Sequence, residues 1–163
     1  MDWIKHIIRL LVAFLLQVLL IGHLQFFGIC QPFVYIVFLL MMPIRIPRWA
    51  DMLIGAILGL LVDIFCNSIG IHMASCVLLC FLRRIIIENI VMDYDRLTGE
   101  ISGRSIGPEN YIKYVVALVF IHHSMVFLLS AWSFAHIWLT ALTILISGLL
   151  SIALILGYDY ARK

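Results

Sequence analysis

Apolar residues fall in long uninterrupted runs along this chain, with no charged residue between Arg9 and Arg45 or between Lys113 and Asp159. Six apolar segments can be drawn: Ile7 to Phe27, Ile29 to Ile44, Ala50 to Phe65, Ile71 to Ile87, Tyr111 to Ala131, and Ile137 to Gly157. A helix that crosses a bilayer needs about 20 residues at about 1.5 Å rise each. The first, fifth and sixth segments have that length, and the middle three are shorter. Helix breakers separate them: Gln31-Pro32, Pro43 with Pro47, a tight turn at Asn67-Ser68 with Gly70, and a polar-aromatic hinge from Ser130 to His136. The one long connection, Asp93 to Asn110, carries Gly99, Gly103, Gly107 and Pro108 among charges and reads as an exposed flexible loop. The pattern predicts an all-α integral membrane protein, a single transmembrane domain over 1–163 built as a six-helix bundle.

Charge decides between six spans and five. With the N-terminus in the cytoplasm, six spans put all eleven basic residues inside, from Lys5 and Arg9 to Arg162 and Lys163. Merging the third and fourth segments moves the long loop and the C-terminus outside, with seven of the eleven, against the positive-inside rule. Trp3 and Trp49 then fall at inner ends, and Trp132 and Trp138 flank the last outer turn, as an aromatic belt requires. Both termini are expected to be cytoplasmic. The outer face is three very short uncharged turns, which leaves no place for a receptor ectodomain or an extracellular enzyme site.

Composition agrees. Of 163 residues, 64% are hydrophobic and 12% charged, against about 25% charged in a typical soluble domain. An ordinary water-soluble enzyme is excluded, and so is a disordered tail, since the net charge is only +2. Lys5 and Arg9 ahead of an apolar run also open a signal peptide, but no small-x-small cleavage site follows, so the first segment is expected to stay. Cys30, Cys66, Cys76 and Cys80 lack CxxC spacing and read as small packing residues.

Candidate chemistry concentrates between Gly55 and His72. Gly55, Gly59 and Asp63 recur every four residues and line one helix face. Small residues at that spacing let another backbone approach closely in lipid, so the face is either internal packing, the favoured reading, or a binding face for another subunit. Asp63 is the one acid within a predicted span rather than at its cytoplasmic end. It lies about 20 Å along its helix from Ala50. There it is expected to accept backbone N–H bonds at the start of the fourth helix or to pair with His72, with proton or substrate handling as the alternative.

Elsewhere, His122 and His123 lie mid-helix without further metal ligands at helical spacing, and neutral histidines bonded between helices are expected. Gln17 is similarly deep in the first segment. Thr140, Thr143, Ser147 and Ser151 form a polar stripe read as helix packing rather than a pore lining. Arg83, Arg84 and Glu88 end the fourth segment, where Arg84 and Glu88 can pair at i, i+4. No P-loop, Rossmann, HExxH, GxSxG or kinase signature occurs, and no acid, base and nucleophile come together. No enzyme activity, cofactor, metal or nucleic-acid partner is expected.

The short basic N-terminus, a first span ending near Gln25 to Gly28, Pro47 to Trp49 opening the third span, GxxxGxxxDIF from Gly55 to Phe65, and GxH at Gly70 to His72 together resemble the rod shape-determining MreD family of bacteria. The resemblance covers most of residues 1 to 90; beyond residue 92 it rests on hydropathy. It implies a non-enzymatic inner-membrane subunit of the cell-elongation machinery. Such proteins act in the lipid bilayer beside MreC, a bitopic protein, and help couple cytoplasmic MreB filaments to peptidoglycan synthases. The family is also similar in fold to the six-helix substrate-binding subunits of energy-coupling-factor vitamin transporters. That likeness supplies the rival reading, a small-molecule binding subunit. A third, a channel or proton-coupled carrier using Asp63 and His122, lacks a repeated architecture or a second buried acid.

Overall fold

The computed structural model describes residues 11–12, 14–18, 30–92, 94–131 and 137–162, with Asp95 by its backbone alone. Its helices are α1 (Ile36–Met41), α2 (Arg48–Cys66), α3 (Ile71–Ile90), α4 (Gly103–Ile106), α5 (Pro108–Ser130) and α6 (Ile137–Ala161), with a 3-10 turn at Tyr94–Arg96. Most of the expected first span, the tryptophans Trp3 and Trp132, and most of the Ser130 to His136 hinge lie outside the described residues. Among those described, α2, α5 and α6 are long and apolar enough to cross a membrane. The chain is a helical membrane protein.

Helices α2 and α3 form a tight antiparallel hairpin. Pro47 precedes α2 with an extended backbone, as suits a residue that cannot donate into a helix. The helix ends at Asn67 in the left-handed region, φ 53°, and Gly70 at φ 72° starts α3, a conformation that glycine adopts without strain. Along the hairpin a Cβ on Gly59 would lie 2.5 Å from the Met73 Cα and 2.6 Å from the His72 carbonyl oxygen. One on Gly55 would lie 2.7 Å from the Cys80 Sγ. Bare glycine is what lets the two backbones meet. Helix α3 in turn packs on α5, and α5 on α6.

Two expectations need correction. The stretch 29–44 is not a spanning helix: residues 31–34 are non-helical and α1 has six residues, about 9 Å of rise. Phe33, Tyr35, Ile36, Leu39 and Leu40 are almost completely buried among the other helices. Hydropathy cannot separate residues that are apolar because they face lipid from residues that are apolar because they face protein. The connection 93–110 is not an exposed flexible loop. Ile101 and Ile106 are buried, α4 is closed by a reciprocal capping box between Ser102 and Ser105, and the Ile101 N–H donates to the Met41 carbonyl at 3.3 Å. Gly103 N–H donates to the buried Asp159 carboxylate at 3.1 Å, and Arg162 pairs with Glu100. The connection is a folded cap over the end of the bundle that carries Arg45, Arg48 and Arg162, called here the basic end.

Candidate functional site

The polar groups of the interior gather on the buried segment between residues 31 and 42. Backbone groups at 31–34 and the last carbonyls of α1 lack partners within that helix, and inside a membrane an unmet N–H or C=O is costly, so side chains from three directions supply them. The Gln31 N–H donates to Ser147 Oγ at 2.9 Å and the Phe33 N–H to Ser151 Oγ at 3.0 Å. Gln17 takes both sides of the next peptides: its Nε2 donates to the Pro32 carbonyl at 3.3 Å, and its Oε1 accepts the Val34 N–H at 2.8 Å. At the other end, Tyr114 Oη donates to the Leu40 carbonyl at 3.0 Å, and Arg83 donates through Nη2 to the Met42 carbonyl. A guanidinium at the carbonyl end of α1 also meets the negative end of the helix dipole. Arg83 is completely buried, and its charge is balanced by Asp51, with Nη1 2.9 Å from Oδ1.

Tyr35 stands at the centre. Its hydroxyl lies 3.0 Å from His72 Nδ1 and 2.9 Å from His122 Nε2, and the Cys76 thiol approaches it at 3.7 Å. A phenol has one proton, so it donates to one imidazole and accepts from the other. His122 Nδ1 is buried without a partner. Donation from Tyr35 to His72, with His122 donating through Nε2, leaves only a lone pair unmet there, whereas the reverse leaves an N–H; the first assignment is the cheaper. Phe33 packs edge-on against His72 and His122, at centroid distances of 5.2 and 5.6 Å. His123 does not reach Tyr35 but packs on Phe33 at a centroid distance of 5.0 Å; its Nδ1 donates to the Val119 carbonyl at 2.9 Å, and its Nε2 lies 3.0 Å from Ser151 Oγ, whose single proton is shared between that nitrogen and the Ser147 carbonyl at 2.8 Å.

The residues singled out in the sequence separate into two groups. Gly55 and Gly59 lie at the α2–α3 contact, and Asp63 continues their face to the turn. The Asp63 carboxylate accepts the N–H of His72 at 3.0 Å and of Met73 at 2.9 Å, and the Ser68 hydroxyl at 2.5 Å. It caps α3 from across the turn, a task that Gly70 has no side chain to perform. The His72 ring turns instead to Tyr35. The polar stripe of α6 divides: Ser147 and Ser151 are buried and hold the interior segment, while Thr143 is half-buried and bonds its own helix at Leu139. Arg84 pairs with Glu88 at 3.1 Å.

Sequence reasoning missed Tyr35, Tyr114 and the Arg83–Asp51 pair, having placed Arg83 among the inner-surface charges. Pro32 and Pro43 bracketing so short an apolar run are the signal that could have raised the first. Nothing local marks the others, because each meets its partner more than 30 positions away. Cys30, Cys66, Cys76 and Cys80 are free thiols, and the described residues contain no cluster of histidine, cysteine and carboxylate groups able to hold a metal. No protein-family model, curated protein or solved structure matches the chain.

Proposed function

We propose that this chain is a non-enzymatic subunit of the bacterial cell-elongation machinery, of the MreD type, that crosses the inner membrane six times, the second time by the partly helical segment around α1 rather than by a spanning helix, with both ends in the cytoplasm. The observation that carries the reading is how the interior polar groups are used. Gln17, Ser147, Ser151, Tyr114 and Arg83 all bond the chain's own backbone between residues 31 and 42. His72 and His122 both bond the Tyr35 hydroxyl. Groups committed in this way brace a static core and are not arranged around a substrate. On this reading the chain works through contacts with a bitopic MreC-like protein, and through it or beside it with peptidoglycan synthases and MreB filaments. It turns nothing over and needs no cofactor.

The test is depletion of the protein in its own cells together with capture of the tagged chain in mild detergent. Rounding or widening of cells, loss of lateral wall synthesis and recovery of an MreC-like protein are expected. Normal shape with loss of uptake of one vitamin would contradict the proposal and support the energy-coupling-factor alternative.

A further inference from the structure

The outer side of the α2–α3 hairpin carries a feature that the interior does not explain. An open groove of about 500 Å³ runs between Met52 and Ala56 of α2 and Ala74, Val77, Leu78 and Phe81 of α3. Its walls are almost entirely apolar, with the small Ala56 and Ala74 facing each other's helices across it. From Ala74 to Phe81 it follows two turns of helix, about 10 Å. Continuing each face one turn toward the basic end brings Arg48, four residues before Met52, and Arg84, three residues after Phe81. Both guanidiniums converge on one carboxylate oxygen of Glu88, Arg48 at 3.7 Å and Arg84 at 3.1 Å. Two cations around one anion leave the mouth of the groove positive. The Arg48 side chain is 57% exposed and that of Arg84 32%, so both keep donors open to a ligand. Trp49, 70% exposed, lies beside Arg48 as an interfacial anchor does.

An apolar slot capped by two guanidiniums matches one kind of molecule. A partner helix would fill the slot and leave the cations unanswered; a free phosphate would answer the cations and leave the slot empty. We propose that the α2–α3 groove is a site for an anionic phospholipid of the leaflet at the basic end, with one acyl chain between Ala56 and Ala74 and the phosphate bridging Arg48 and Arg84. Arginine suits this place because its planar fork binds phosphate oxygens in pairs while its stem lies along apolar surface. Glu88 keeps the two arginines together when the lipid is away. The inference does not depend on the proposed assembly and stands or falls separately from it.

Native mass spectrometry of the delipidated full chain, titrated with phosphatidylglycerol or phosphatidylcholine of identical chains, tests it. Phosphatidylglycerol should bind at about tenfold lower concentration than phosphatidylcholine. Arg48→Gln with Arg84→Gln should erase that preference, Arg48→Lys with Arg84→Lys should keep most of it, and Ala74→Phe should weaken both lipids by filling the slot. Variants are compared only where thermal unfolding matches that of the parent; should the double Gln variant not fold, the parent's own preference and the Ala74→Phe titration decide. Equal binding of the two lipids overturns the proposal. So does a preference that survives the double Gln variant, displacement of the lipid by inorganic phosphate alone, or a dimer that forms through the groove and ignores lipid.

Discussion

Asp63 shows how much one side chain can settle. A carboxylate inside an apolar helix costs about 2.5 to 3.5 kcal/mol at the bilayer centre by insertion scales, and less toward an interface. Here it lies one turn from the end of α2 and accepts two backbone N–H groups that α3 would otherwise leave unmet. Replacing Asp63 by Ala removes both acceptors and should destabilise the protein by about 1 to 2 kcal/mol, the usual worth of a helix cap. Thermal unfolding in detergent would register this as a lowered midpoint, with Asp63→Asn falling between because one amide oxygen still accepts. If Asp63 handled a proton or substrate instead, Asp63→Asn would keep the midpoint and abolish function in cells. The sequence already contained this cap, since the spacing from Asp63 to the Gly70 turn is short and local. It did not contain the destination of the His72 ring, because Tyr35 lies 37 positions away on a segment that hydropathy read as a spanning helix.

At the scale of elements, the α2–α3 hairpin was legible because its determinants repeat every four residues within about 25 positions. Its close approach makes a sharp prediction about glycine. A Cβ at Gly59 meets backbone atoms of α3, which no rotamer change can relieve, so Gly59→Ala should push the helices apart at a cost of about 1 to 3 kcal/mol. Gly55 meets the Cys80 side chain first and the Cys76 carbonyl at 3.0 Å, so Gly55→Ala should cost less. Gly157 has nothing within 4 Å of its Cβ position, and Gly157→Ala should stabilise α6 by about 0.5 to 1 kcal/mol. Unfolding midpoints ordered Gly59→Ala below Gly55→Ala below parent below Gly157→Ala would bear this out; equal midpoints for the two hairpin variants would not. The segment around α1 was illegible for the opposite reason. Its shape is imposed by Ser147 and Ser151, more than 110 positions away, and no local pattern announces partners at that distance. The cap at 94–110 was hidden in the same way: glycines and charges surround Ile101 and Ile106, and their docking partners, among them Met41, Asp159 and Arg162, lie more than 50 positions away.

For the whole molecule, the partners, the leaflet of the bound lipid and the function all depend on which compartment the basic end faces. The structure sharpens how that is measured. A cysteine at Ser102 would be silent from either side because that position is a buried helix cap, whereas Thr98 is exposed at the basic end and Ile69 is 95% exposed at the opposite turn. Single cysteines at Thr98 and Ile69, in a chain whose native cysteines are replaced by serine or alanine, can be challenged in intact cells with a membrane-impermeant maleimide. Six crossings, the second made by the segment around α1, with a cytoplasmic basic end predict that Ile69→Cys reacts at once and that Thr98→Cys reacts only after the inner membrane is permeabilised. Labelling of Thr98→Cys from outside intact cells would contradict it.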